Sequence, residues 1–221
     1  NRISYNEIFD VMRKLGDGNG IYISGAGWGN VIKGNFVHDL PGAGTNAAIR
    51  TDDFQWYTRV EANVVCRING GGILLKDIND ITDNVIVHCF RMGSIGMRRT
   101  PSWGANVKRN ILVQNPMNEE GEKPPLPFYF GGGFGGEIEE PNTDDNVLWC
   151  PDQPSLAESC LKAMRELGRD LKSIASDPKF VDGDNDDFRL QPDSPAWDLG
   201  FCPPTHWGVR EEPGSHSKTP S

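Results

Sequence analysis

With 221 residues the chain is long enough for one domain with a sizeable buried core. Only 37% of its residues are hydrophobic, while glycine and proline number 26 and 16, which is too rich in turns for a helix bundle. A net charge of −9 argues against nucleic acid as a partner, and no run approaches the ~20 apolar residues of a membrane span.

In chain order, the first recognisable phrase is Asn6-Glu-Ile-Phe, and it returns at Asn35, Asn63, Asn84, Asn110 and Asn146. The intervals are 29, 28, 21, 26 and 36 residues. Each Asn opens a short run of β-branched residues, the composition of a strand. The two-residue beat of a strand places Ile8, Val37, Val65, Ile86 and Leu112 on one face as an inward column. An Asn before each strand suits a buried amide ladder from one repeat to the next.

A second strand recurs within each interval, at Gly20–Ser24, Ala48–Asp52, Gly72–Lys76 and Ser94–Arg98. Alignment stacks Ile21, Ile49, Ile73 and Ile95 inward, followed two residues later by Ile23, Thr51, Leu75 and Met97. The outward columns then read Tyr22, Arg50, Leu74, Gly96 and Ser24, Asp52, Lys76, Arg98. A third short strand, around Val31, Val60, Ile81 and Val107, precedes each Asn. Three strands per repeat of ~20–30 residues is the arithmetic of an all-β, right-handed parallel β-helix.

After residue 114 the pattern changes. Residues 115–145 are rich in Pro, Gly and Glu, hold a brief strand at Phe128-Tyr-Phe, and read as a long surface excursion. The Gly-rich run 131–136 lacks the Lys-Ser/Thr of a phosphate loop. Ser155 and Glu158 fit a capping box for a helix whose apolar stripe includes Leu156, Cys160, Leu161 and Met164, with Gly168 as its stop. The expected organisation is solenoid repeats over 1–150, with a capping helix and an extended tail over 151–221 packed on them. Cys66, Cys89, Cys150, Cys160 and Cys202 lack metal-ligand spacing and read as thiols, with one late pair, such as Cys150 and Cys160, open to a disulfide in an exported protein. Asp182-Gly-Asp184-Asn-Asp186-Asp187 has the start of a calcium loop. It lacks the required Gly at the sixth position and the Glu at the twelfth, where Asp193 stands, so a plain turn and no cofactor are expected.

The phrase Ser173-Ile-Ala-Ser-Asp177-Pro178-Lys-Phe180-Val-Asp182, with Asp187-Phe188-Arg-Leu190 and Ser194-Pro195-Ala196, resembles the C-terminal signature of bacterial right-handed β-helix proteins acting on polysaccharides. The stretch Ala48-Ile-Arg-Thr-Asp52-Asp53, followed by Leu74-Leu-Lys-Asp77, is similar to the double-Asp strand of β-helix glycosidases near glycoside hydrolase family 141. The resemblance implies a secreted, periplasmic or cell-surface protein acting on a polysaccharide or oligosaccharide. It also implies further repeats upstream of Asn1, which falls within a strand-like run and not in a signal peptide.

Glycosidic hydrolysis calls for two carboxyl groups, an acid and a base or nucleophile. Asp53 and Asp77 occupy the same loop position on adjacent repeats and form the expected pair, with Asp52 orienting the substrate or replacing Asp53. Lys76 and Arg50 flank them, and Arg98 continues the outward column. Trp28 and Trp56 each lie four residues beyond that column, so their indoles should meet beside the carboxylates as a sugar platform that Tyr57 and Trp103 extend. His38 reads as an outward surface histidine one column away, within range of a substrate. Two alternatives stay open: a polysaccharide lyase using Lys76 and Arg98, and a non-catalytic glycan-binding module of a surface protein. The lyase pattern would want a Lys near position 52, where Asp stands.

Overall fold

The computed structural model describes residues 1–25, 27–42, 44–90, 93–97, 104–114, 128–131 and 141–204. All its strands but those of one C-terminal hairpin fall into three parallel sheets that the chain visits in rotation, so strands one repeat apart in sequence are neighbours in space. The first sheet orders Arg2–Ser4, Val31–Lys33, Arg59–Glu61, Asp80–Thr82, Asn106–Lys108 and Asn142–Asp144. The second orders Glu7–Phe9, Phe36–Leu40, Val64–Ile68, Val85–Cys89, Ile111–Val113, Val147–Trp149 and Ile174–Ala175. The third orders Asn19–Ile23, Ala47–Thr51, Gly71–Leu75, Ile95–Met97 and Tyr129–Gly131. Parallel neighbours need a crossover, and here the passage through the other two sheets supplies it. With one α-helix among the described residues, α1 at Pro154–Glu166, the fold is all-β in character and β-helix-like.

The registers follow from the apolar columns. Ile8, Val37, Val65, Ile86 and Leu112 pair in line, as do Ile21, Ile49, Ile73 and Ile95. Both columns join one core. The third strand lies where it was expected, around Val31, and its register puts Val31 beside Arg59 while Ile32 lines up with Val60 and Ile81 in the interior. Adjacent β-branched residues hide this phase in the sequence. Ile73 is fully buried. Ile73→Ala should therefore cost about 2–5 kcal/mol in chemical denaturation, the range for a large aliphatic in a packed core.

The Asn ladder is complete. Asn6, Asn35, Asn63, Asn84 and Asn110 each donate from Nδ2 to Oδ1 of the next Asn, at 2.8 to 3.1 Å, ending on Asn146. The same Oδ1 atoms also accept the backbone N–H of the preceding Asn. Asn146 passes the chain of bonds to Ser173, whose Oγ accepts its N–H at 2.8 Å. The residue before every ladder Asn (Tyr5, Gly34, Ala62, Asp83, Arg109, Asp145) has positive φ, turning the chain from first sheet to second. Only one of the six is the glycine that such a bend favours.

Helix α1 packs against the strands Val147–Trp149 and Ile174–Ala175, with Ala157 and Leu161 buried in the same core as the sheet columns. Its start differs from the expected capping box: Gln153 is the N-cap, no side chain caps the helix, and Pro154 provides the preset first turn. Its end is as expected. Gly168 has φ +74 and its N–H reaches Arg165 O, while Arg169 N–H reaches Met164 O. All five cysteines are free thiols, and burial pushes Cys160 up to about 12.

The second sheet is apolar on both faces. Its outer residues, among them Phe36, Val64, Val85 and Ile111, form a separate core with Phe188, Ala196 and Phe201 of the tail. Arg67 ties this cover down, with paired bonds to Asp39 (2.7 and 2.9 Å) and to Asp186 of the tail (2.5 and 3.0 Å). Arg67 holds the Asp39 carboxyl at about 2, overcoming partial burial. A second tie runs through Asp83, which accepts from Arg109 and from the Cys202 N–H at 2.9 Å each. The stretch Asp182–Asp187 forms the bend of the antiparallel hairpin Phe180–Asp182 and Asp187–Leu190. Of its carboxylates, Asp182 accepts from Asn185, Asp186 from Arg67 and Asp187 from Arg189.

Candidate functional site

The third-sheet strand Ala47–Thr51 runs into a turn, residues 52–58, before the first-sheet strand Arg59–Glu61. Buried amides hold this turn. Gln55 Nε2 donates to Gly27 O and Thr58 Oγ1, both at 2.7 Å, and Asn79 Nδ2 donates to Gln55 O at 2.6 Å. Asn79 Oδ1 accepts the Thr58 N–H at 2.8 Å. Gln55, Thr58 and Asn79 are all buried, so the backbone is fixed from within. With the polar residues turned in, Phe54, Trp56 and Tyr57 face out, and Phe54 and Tyr57 adopt positive φ to do so.

Trp28, from the equivalent turn one repeat earlier, meets these rings. Its centroid lies 6.3 Å from that of Trp56, with the planes 56° apart, and 5.3 Å from Tyr57 in an edge-on contact at 61°. The expected indole pair is present. Trp28 remains 70% exposed, and Phe54, Trp56 and Tyr57 are exposed beside it on the next turn.

The same turn opens on a charged cluster. Asp52 points outward as the strand alternation requires, yet it is only 4% exposed because cations and a phenol enclose it. Lys76 Nζ forms ion pairs with both Asp52 Oδ1 and Asp53 Oδ1. Arg50 reaches Asp52 Oδ2 at 3.0 Å and Asp17 at 2.8 Å. Tyr22 donates its hydroxyl to Asp52 Oδ2 at 2.5 Å while its ring lies under the Arg50 guanidinium, 5.4 Å away.

These contacts set the protonation states. Burial works to raise the Asp52 carboxyl, but hydrogen bonds from Lys76 and Tyr22 and the charge of Arg50 outweigh it and hold it below its ordinary 3.8. Burial likewise opposes the charge on Lys76, and its bonds to Asp52 and Asp53 raise it above the ordinary lysine value. The bond to Asp52 raises Tyr22 as well. Because the folded Asp52 lies below its unfolded value, its stabilising contribution is complete above about pH 4 and is lost as pH falls through the folded value. Thermal melts of wild type and Asp52→Asn should therefore draw together below about pH 4.

The sequence-derived candidates fare differently. Asp52, Asp53, Lys76 and Arg50 meet in one cluster, beside a turn that carries Trp56 and Tyr57. Asp53 is exposed, whereas Asp77, at the matching position one repeat on, is buried with a φ of +58. The two supposed partners thus occupy different environments. His38 is not a surface histidine: it lies in the second sheet, 2% exposed, stacked between Phe36 at 4.1 Å and Phe9 at 5.2 Å. Its Nδ1 contacts Asp39 and its Nε2 contacts Glu7. Arg98 and Trp103 lie outside the described residues, as do 115–127 and 132–140 of the expected surface excursion. Two participants went unrecognised. Tyr22 stands in the outward column beside Arg50, where alternation alone assigns it no chemistry, and Asp17, in the loop before the first repeat of that strand, carries no periodic signal. Compared with protein-family models, curated proteins and solved structures, the chain has no match.

Proposed function

We propose that this chain is a carbohydrate-active protein that binds a polysaccharide or oligosaccharide on Trp28, Trp56 and Tyr57 and hydrolyses it at the neighbouring carboxylates. The observation that carries the reading is the coincidence, on one rigid turn, of exposed tilted rings with Asp52 and Asp53 bridged by a single ammonium. Indole stacks on the C–H face of a sugar, and a bridged carboxyl pair supplies an acid and a base or nucleophile. In this mechanism Asp52, held ionised, is the base or nucleophile. Asp53, on the solvent side, takes a proton from water and passes it to the leaving oxygen; while it carries that proton Lys76 rests on Asp52 alone, and the carboxylate left after transfer regains the ammonium. Arg50 and Tyr22 orient Asp52. Asp77, being buried, supports the loop.

The rest of the reading belongs to the same proposal: a closed right-handed solenoid over 1–150 with its helix and tail over 151–221, a kinship with family 141-like glycosidases, and a secreted or cell-surface location. A non-catalytic glycan-binding module is the second reading. It is favoured by the neutralisation of Asp17, Asp52 and Asp53 by Arg50 and Lys76. A lyase is disfavoured, because a lysine hydrogen-bonded to two carboxylates and raised in pKa is a poor base.

Incubation with a panel of glycans, read for new reducing ends and for unsaturated-product absorbance, separates the three. Reducing ends without absorbance support hydrolysis, and absorbance supports the lyase. Binding without either product leaves the module. Trp28→Ala should weaken binding about tenfold, the equivalent of about 1.4 kcal/mol. Unchanged affinity would remove the rings from the site.

A further inference from the structure

We infer that the aromatic site accepts a single dispersed glycan chain and does not adhere to the flat face of a crystalline polysaccharide, an inference that rests on the carbohydrate reading above. A crystalline face is planar over many sugar units, so a protein that lies on it must offer several rings in a common plane. The rings here share none. Trp28 and Trp56 are 56° apart, and Trp28 and Tyr57 are 61° apart. At centroid separations of 6.3 and 5.3 Å they also pack on one another, which leaves Trp56 with 38% of its surface free against 70% for Trp28. The result is one open ring flanked by two inclined ones, a corner and not a plateau.

The corner does not flatten cheaply. Trp56 and Tyr57 leave a turn whose backbone is fixed by the bonds of Gln55 and Thr58 to Gly27 and Asn79, so their attachment points do not shift, and swinging the rings into one plane would give up their contacts with Trp28. Successive sugars of a dispersed chain rotate about their linkages and present C–H faces at changing angles, which suits inclined rings. The polar groups point the same way. Asp53, Lys76 and Tyr22 meet only a ligand whose edge hydroxyls are free, and a crystal consumes those in its own lattice.

The test pairs two forms of each polymer. Soluble oligosaccharides of cellulose, chitin, xylan and mannan are titrated against the whole chain by calorimetry. Depletion from solution is then measured on the microcrystalline and the amorphous forms of cellulose and chitin. The expected result is binding to at least one soluble or amorphous glycan, weakened about tenfold by Trp28→Ala and by Trp56→Ala, with no retention on a crystalline form. Retention on a crystalline polymer that either substitution abolishes overturns this inference and leaves the carbohydrate reading standing. Binding to neither form overturns both.

Discussion

Asn84→Ala is expected to destabilise the fold by at least about 4 kcal/mol, a large share of the about 5–15 kcal/mol that keeps an ordinary domain folded. The Asn84 side chain is fully buried and serves five groups. Its Oδ1 accepts the Asn63 backbone N–H and the Asn63 amide, both at 2.9 Å. Its Nδ2 donates to Val60 O, Thr82 O and Asn110 Oδ1, at 2.9, 3.0 and 3.0 Å. Alanine leaves these groups in an interior without water, where each unmet donor or acceptor costs about 1–3 kcal/mol. Relaxation recovers part of that sum, but the repeats above and below hold their own strands and limit it. Asn6 is the control. It stands at the exposed end of the same ladder, so Asn6→Ala should cost under about 1.5 kcal/mol, since water replaces the lost partner. Equal midpoints for the two variants in urea would mean that the ladder carries no stability.

That ladder was legible because it depends on a repeated residue type at a repeated phase, and the two inward columns were legible for the same reason. What escaped the sequence reading shares a different physical origin. Val64, Cys66, Val85, Val87, Ile111 and Val113 lie on the outer face of the second sheet, and their apolar character was the signal that something covers it. A parallel strand buried on both faces reads as a continuous apolar run, not an alternation. His38 belongs to that covered face, which is why its outward position did not make it exposed. The bends before each ladder Asn were invisible because Tyr, Ala, Asp and Arg hold a backbone conformation that composition assigns to glycine, sustained by the neighbouring repeats. At the candidate site the strand alternation gave Asp52, Lys76 and Arg50. The difference between exposed Asp53 and buried Asp77 depends on loop geometry with no periodicity to betray it.

Asp52→Asn is expected to lower kcat by about 10²–10⁴-fold, the span attributed to a positioned acid or base, while glycan affinity changes less than about threefold. Asparagine keeps the shape and accepts the Tyr22 hydroxyl, but it carries no charge and takes no proton. The surrounding ion pairs survive the change, because Lys76 retains Asp53 and Arg50 retains Asp17. The variant should thus fold, and near-neutral melts that stay cooperative establish that any lost turnover is chemical. Asp53→Asn should match it, since hydrolysis fails without either member of the pair. Asp77→Asn separates the two arrangements. If Asp77 only supports its loop, the variant loses stability before turnover. A folded Asp77→Asn protein with abolished turnover, beside a fully active Asp52→Asn, would return the chemistry to the Asp53–Asp77 pair and reduce Asp52 to a neutraliser of Arg50 and Lys76.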